Sequence, residues 1–371
     1  MKKLIWGLVI VAVVAVFGGR AWYLHKQSTA EKNVVKIGAI LPLSGVMSHN
    51  GEMALNAMKM LEDKVNATQS VKVKVVAEDG KFTTKDSLSA FRKLQSAGID
   101  LILAYGDVPS KAIVYIAKEQ NIPLFTVSDG KDLNAVPVVV NLIPKNEYMI
   151  DYMTKFVVED VKPESVAVIH QKDLAAIEKG DLMVKNLKDA GITVTKQEQF
   201  AFDAPEVRSI VSKALYGDPK AVVFFGWGPA YTAILNTLRE QGFKGPIITD
   251  WNISAVFDSL AKTAYPLYWM DTYFDEHSTL PEVQKFVAEY KQRYNMVPDI
   301  FAMLSYIGTQ TITSSLKTNN YQPMTVMQDV IKTHDLPTVL GKVSIGDDRY
   351  LELPLVIKQM QSDGTAKIVK E

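Results

Sequence analysis

The chain contains no cysteine. Disulfides, thiolate nucleophiles and thiolate metal sites are therefore excluded, as is a lipid-modified cysteine behind an export signal. The absence fits an oxidising compartment. Net charge is missing as well: 41 Lys and Arg balance 41 Asp and Glu, and neither sign gathers in a block. Nothing electrostatic points to nucleic acid. The histidines His25, His49, His170, His277 and His334 stand far apart. No His-x-x-x-His pair, P-loop, Gly-x-Ser-x-Gly or Gly-x-Gly-x-x-Gly is present. Glu78 and Asp79 close a strand and read as a solvated strand end rather than a hydrolytic or metal pair. The expectation is a protein that is no enzyme and holds neither metal nor cofactor.

One feature is present at the start. Lys2 and Lys3 precede an apolar run over residues 4–17, the pattern of an export signal. At ~14 residues the run is short of the ~20 needed to span a bilayer. Extension to Leu24 requires Arg20 near the outer end, with Trp22 and Tyr23 as an interface belt. Two fates stay open: cleavage after Gly18 or Ala21, or retention as a membrane anchor. Lys2 and Lys3 put the start in the cytoplasm, so the body that follows is exported in both cases. Residues 1–26 are thus a signal peptide or signal anchor, and 27–33 a linker.

From Val34 onward short apolar strands alternate with helices. Strands are expected at 34–41, 71–77, 99–104 and 124–127, with helices at 52–65, 84–97 and 111–120. The alternation returns with strands at 166–169, 193–197, 221–225 and 247–249 and helices at 179–190, 207–216 and 230–241. Such alternation predicts parallel sheets covered by helices. Two runs, in a chain of 371 residues, predict two doubly wound α/β lobes. Ligands of such sheets sit beyond the carboxyl ends of the strands. The loops of interest are then 42–51, 105–110, 128–133, 171–178, 226–231 and 250–254.

These loops carry a resemblance. Val35-Lys36-Ile37-Gly38-Ala39-Ile40-Leu41-Pro42-Leu43-Ser44-Gly45, with Gly51 and a helix behind it, resembles the start of the branched-chain amino acid (Leu/Ile/Val) binding proteins of ABC importers. Val75-Val76-Ala77-Glu78-Asp79, Gly98-Ile99-Asp100-Leu101-Ile102 and Asn121-Ile122-Pro123-Leu124 resemble the next three strand entries. Phe286-Val287-Ala288-Glu289-Tyr290-Lys291-Gln292-Arg293-Tyr294, then Pro298-Asp299 and Ala302, resemble its long helical pair. The resemblance runs from Val35 to Lys367. It implies a type I periplasmic binding fold, with two lobes joined by a three-strand hinge. Crossings are expected at 143–146, 269–273 and 341–351. Lobe I is then 34–145 plus 272–345, and lobe II is 146–271 plus 346–371.

In that family, small hydroxyls and backbone N–H groups of lobe I bind a ligand carboxylate, while a carboxylate and aromatics grip the ammonium. The resemblance assigns Ser44, Tyr105, Ser110, Ser128, Asp129, Gly130, Trp227 and Trp251 to the ligand site. Ser110 serves equally well as N-cap of a helix starting at Lys111, and Asp129 as a turn residue of an Asp-Gly pair. Trp227 and Trp251 wall a pocket or pack loops. His49 lies in the first ligand loop, where a solvated histidine is the plainer reading. Three positions depart from the pattern. Gly130 stands where Thr is usual, Asp129 would repel an α-carboxylate, and Ala175 stands where an aromatic is usual. The expected function is an extracytoplasmic, monomeric solute-binding protein that closes on a small polar or amino acid-like ligand and serves an ABC permease. The alternative is a membrane-anchored sensor on the same fold.

Overall fold

The computed structural model describes residues 34–371 except 46, 129, 131, 252, 254–259, 261–265, 275–277, 279, 317–321 and 364. The N-terminal segment expected to be signal or anchor, and Asp129, lie outside the described residues. No helix among the described residues is long and apolar enough to cross a membrane.

The first sheet is built by β1 (Val34–Leu41), β2 (Lys72–Asp79), β3 (Leu101–Tyr105), β4 (Leu124–Val127) and β5 (Val139–Asn141). It is five-stranded, with order β2-β1-β3-β4-β5, and every pairing is parallel. Helices α1 (Ser48–Thr68), α2 (Thr84–Ser96) and α3 (Asp107–Glu119) connect its strands. β3 (LILAY) and β4 (LFTV) are buried at every position, as central strands covered on both faces must be.

After β5 the chain enters α4 (Asn146–Phe156) and builds the second sheet. Its members are β6 (Ser165–Gln171), β7 (Thr193–Phe200), β8 (Ala221–Phe225), β9 (Ile247–Thr249) and β10 (Leu267–Asp271), linked by α5 (Leu174–Asp189), α6 (Arg208–Leu215) and α7 (Pro229–Glu240). The chain then returns to the first sheet with α8 (Pro281–Tyr294), α9 (Ile300–Ser314) and α10 (Pro323–Val330). α9 is apolar almost all round and packs against α1. Gly51 lets α1 approach the preceding loop: a Cβ there would sit 2.2 Å from the Pro42 carbonyl oxygen.

A small antiparallel sheet follows, from β11 (Leu336–Thr338), β12 (Gly341–Ile345) and β13 (Leu351–Glu352). Finally β14 (Val356–Met360) and β15 (Ala366–Lys370) complete a seven-stranded second sheet of order β15-β14-β10-β9-β8-β6-β7. The third passage thus falls later than the 341–351 expected from sequence. Arg349 and Tyr350 stay tied to β5: Asn141 N–H donates to the Arg349 carbonyl at 2.9 Å and bridges to Tyr350. The chain rejoins the second sheet only at Val356.

The second and third passages are pinned to each other. Lys358 on β14 pairs with Asp271 at the end of β10, Nζ to Oδ2 3.1 Å, with both side chains at most 5% exposed. Trp269 Nε1–H donates to the same carboxylate at 3.0 Å.

Candidate ligand-binding cleft

The two sheets present the carboxyl ends of their strands to one cleft of about 740 Å³. Each of the six loops singled out from sequence contributes to its wall. Both topological switch points open onto it. In the first sheet that point lies between β1 and β3, and in the second between β6 and β8. There the loops diverge and leave room for a solute.

Two glycines shape the rim. Gly106 and Gly228 precede α3 and α7 with φ of 92° and 81°, which residues bearing a Cβ rarely adopt. Each also makes room for a ring. A Cβ on Gly106 would meet Phe82 at 2.4 Å, and one on Gly228 would meet Phe202 at 2.2 Å. Phe202 and Trp227 lie with ring centroids 4.6 Å apart. Phe82, from the loop after β2, meets Trp227 edge-on at 6.2 Å. This trio therefore joins a loop of the first sheet to loops of the second. Trp227 is held from behind, its backbone N–H donating to Gln171 Oε1 at 3.0 Å. Deeper in, Tyr105 packs edge-on against Phe301 at 5.7 Å, and Trp251, Phe225 and Tyr231 add apolar wall.

The charged side chains of the cleft are satisfied within the protein. Asp107 accepts a hydrogen bond from the Ser128 hydroxyl and an ion pair from Lys111 at 3.3 Å. Asp173 caps α5 by accepting from Ala176 N–H at 2.9 Å. Lys179 and Asp250 form a buried pair at 3.0 Å, with side chains 4% and 2% exposed. Tyr231 donates or accepts at Thr249 Oγ1, 2.7 Å away. Burial first, and the Asp250 charge second, push its phenol far up, so Tyr231 stays protonated.

Of the residues assigned from sequence, Tyr105, Ser128, Trp227 and Trp251 line the cleft. Ser110 does not: it is fully buried. Its N-cap reading also fails, because α3 starts at Asp107, with Gly106 as cap. Pro109 falls in the first turn, where its missing N–H is not needed. The Ser110 hydroxyl donates to the Gly106 carbonyl at 2.7 Å and shares a hydrogen bond with Thr126. Ser44 is exposed and donates to Asp79 Oδ2 at 2.6 Å. Partial burial raises the Asp79 carboxyl, but hydrogen bonds from Ser44, Lys81 and Leu43 outweigh it and hold the group low. His49 lies on α1, exposed.

Gly130 lines a neighbouring recess rather than the main cleft, and its N–H donates to the Ser128 hydroxyl at 3.0 Å. A Cβ at this position would lie 2.5 Å from Asp107 Oδ1, so the aspartate explains the departure from Thr. Gly130→Thr is expected to cost about 1–3 kcal/mol of stability through this overlap. The double variant with Asp107→Ala should recover most of it in urea denaturation. Equal losses in both backgrounds would show that Asp107 is not the obstacle.

Sequence reasoning placed Asp107 beside Tyr105 in the strand-end loop 105–110, but missed Lys111, Lys179, Phe82 and Phe202. The Gly106-Asp107-Val108-Pro109 run was a helix-start signal, and Asp173 was another. Both would have placed a lysine one or two turns into a helix facing the cleft. Nothing local announced the two phenylalanines.

Comparisons with known proteins agree with this architecture. A family model described as periplasmic binding protein matches residues 34–365. Leu/Ile/Val-binding protein homolog 8 of Brucella abortus is 22% identical over 373 residues, covering 91% of this chain and 90% of that protein. The solved leucine binding protein LivK of Thermotoga maritima superposes with a TM-score of 0.81 at 19% identity, over 90% of this chain and 97% of the other. A solute binding protein of an ABC transporter from Rhodopseudomonas palustris, in complex with 3,4-dihydroxy benzoic acid, gives 0.81 at 15% identity, over 91% and 96%. With the family model spanning nearly the whole described body, the chain belongs to the periplasmic binding protein family, which comprises solute-binding proteins rather than enzymes.

Proposed function

We propose that this chain is an extracytoplasmic solute-binding protein that closes two lobes on a small, flat, largely apolar solute and presents it to an ABC permease. Lobe I is taken as the first sheet with α8 to α10 and the small antiparallel sheet. Lobe II is taken as the second sheet with its helices. Closure follows the usual logic: a solute that bridges both walls selects the closed form.

The observation that carries the reading is the lining of the cleft. Eight aromatic side chains face it: Phe82, Tyr105, Phe202, Phe225, Trp227, Tyr231, Trp251 and Phe301. Its described charged groups already have internal partners. A zwitterion leaving water must recover hydrogen bonds and counter-charges at both ends. Here that would mean breaking the Lys179–Asp250 pair or the Ser128–Asp107 contact. The Ser128 hydroxyl, which the resemblance assigned to a ligand carboxylate, donates to Asp107 instead. An aromatic ring needs none of these groups and gains by stacking. We take the aromatic lining to narrow the small polar or amino acid-like ligand expected from sequence to one that carries an aromatic ring.

A thermal-shift and calorimetric screen over aromatic acids, phenols, aromatic amines and branched-chain amino acids tests the reading. Saturable stabilisation by members of the aromatic set is the expected result. Tight binding of Leu, Ile or Val with none of the aromatics would overturn it.

A further inference from the structure

A second cavity of about 350 Å³ lies at the hinge, and its lining shares no residue with the main cleft. Its walls come from the segment between β5 and α4, from the segment before β13, and from Glu178 on α5. Three carboxylates, Glu147, Glu178 and Asp348, face two cations, Lys145 and Arg349.

Both cations are already used by the protein. Lys145 Nζ donates to Asp348 Oδ2 at 2.7 Å. The Arg349 guanidinium donates to the Pro137 carbonyl at 3.0 Å and to the Asn134 carbonyl. What remains on the wall is acceptor capacity. Asn134 is only 9% exposed, and its Nδ2 donates to the Asp348 carbonyl at 2.8 Å. Its Oδ1 is buried with no hydrogen-bond partner. A buried acceptor left in that state is destabilising, and a donor arriving from outside would recover the loss. Glu147 adds a half-buried carboxylate on the first turn of α4.

The local field has the matching sign. The Tyr350 phenol is pushed up to about 12, by burial first and then by the charges of Glu147, Glu178, Asp348 and Asp107. Among the described residues no group of three His, Cys, Asp or Glu side chains is placed to hold a metal ion. Spread acceptors of this kind suit a cation that carries several N–H donors.

We infer that the hinge cavity is a second ligand site, which takes a small organic cation bearing N–H donors, of the primary ammonium or guanidinium class. Such a cation would bind Asn134 and Glu147, beside Glu178, whose Oε2 accepts from Asn146 Nδ2 at 3.1 Å. The next residue, Lys179, lines the main cleft in its pair with Asp250. The inference is independent of which solute fills the cleft.

Calorimetry on the purified full chain tests it, with methylammonium, putrescine and agmatine as probes. Tetramethylammonium, equal in charge but without N–H donors, is the control. Saturable binding of at least one probe is expected, weakened about tenfold or more in both Asn134→Leu and Glu147→Gln. Trp227→Ala, altered only in the cleft, should bind the probe normally. Should Asn134→Leu fail to fold, Glu147→Gln on the helix surface decides alone. No saturable binding at millimolar concentration overturns the proposal, and so does equal binding of tetramethylammonium. Binding that survives Glu147→Gln but is lost in Trp227→Ala would place the cation in the cleft and overturn it too.

Discussion

Lys179→Met should lower folding stability by about 3–5 kcal/mol, because it strands a buried carboxylate. Lys179 lies on the second turn of α5 and reaches Asp250 at the end of β9, 3.0 Å away. Neither side chain is more than 4% exposed. Removing two charges from water is costly, and only their mutual attraction and further hydrogen bonds offset it. Methionine keeps the aliphatic volume and deletes the counter-charge, so packing is largely preserved while Asp250 loses its ionic partner. The double variant Lys179→Met/Asp250→Leu removes the charge as well and should return to near the parent stability. Urea denaturation with an unchanged slope separates these outcomes, since the slope follows the surface exposed on unfolding. A single variant within about 1 kcal/mol of the parent, the ceiling for exposed pairs, would show that Asp250 is solvated. Our view of the cleft's charged groups as satisfied within the protein would then fail.

That pair also marks where the sequence was readable and where it was not. β3 and β8 were legible because Leu101–Tyr105 and Ala221–Phe225 are short apolar runs, each preceded by a charged residue and followed by glycine, a pattern that a buried parallel strand explains well. The loops after them followed from chain direction alone, which is why all six reach the cleft. Contacts inside those loops were not legible. Lys179 and Asp250 are 71 residues apart, and no local period links them. Ser110 was misplaced because α3 starts after Gly106, which adopts a positive φ and leaves no room for a Cβ beside Phe82. Gly130 was read as a lost hydroxyl, whereas a side chain there would overlap Asp107. In each case a distant side chain decided a local conformation.

Trp227→Ala should weaken binding of the cleft solute by about 30-fold or more, corresponding to about 2 kcal/mol, the scale of a central aromatic contact. Trp227 is half-buried, held between Phe202 and Phe82 and fixed by Gln171. Phe82 makes this trio unusual, since it sits at φ 56°. A bulky residue there costs about 1–2 kcal/mol, a strain that the surrounding packing must offset. Phe82 is also the member that comes from the first sheet, so the cluster assembles only when the two walls meet. Losing Trp227 thus removes a stacking surface and an inter-lobe contact together, and dissociation should quicken more than association slows. Phe82→Ala separates the two effects. It leaves the Phe202–Trp227 face intact but deletes the bridge, and it should raise the dissociation rate with a smaller loss of affinity than Trp227→Ala. Trp227→Phe should recover part of the affinity, because a ring is retained. Stopped-flow and calorimetric measurements on the three variants decide the matter. Unchanged affinity in Trp227→Ala would reduce the trio to loop packing and leave the solute to the deeper wall of Tyr105, Trp251 and Phe301.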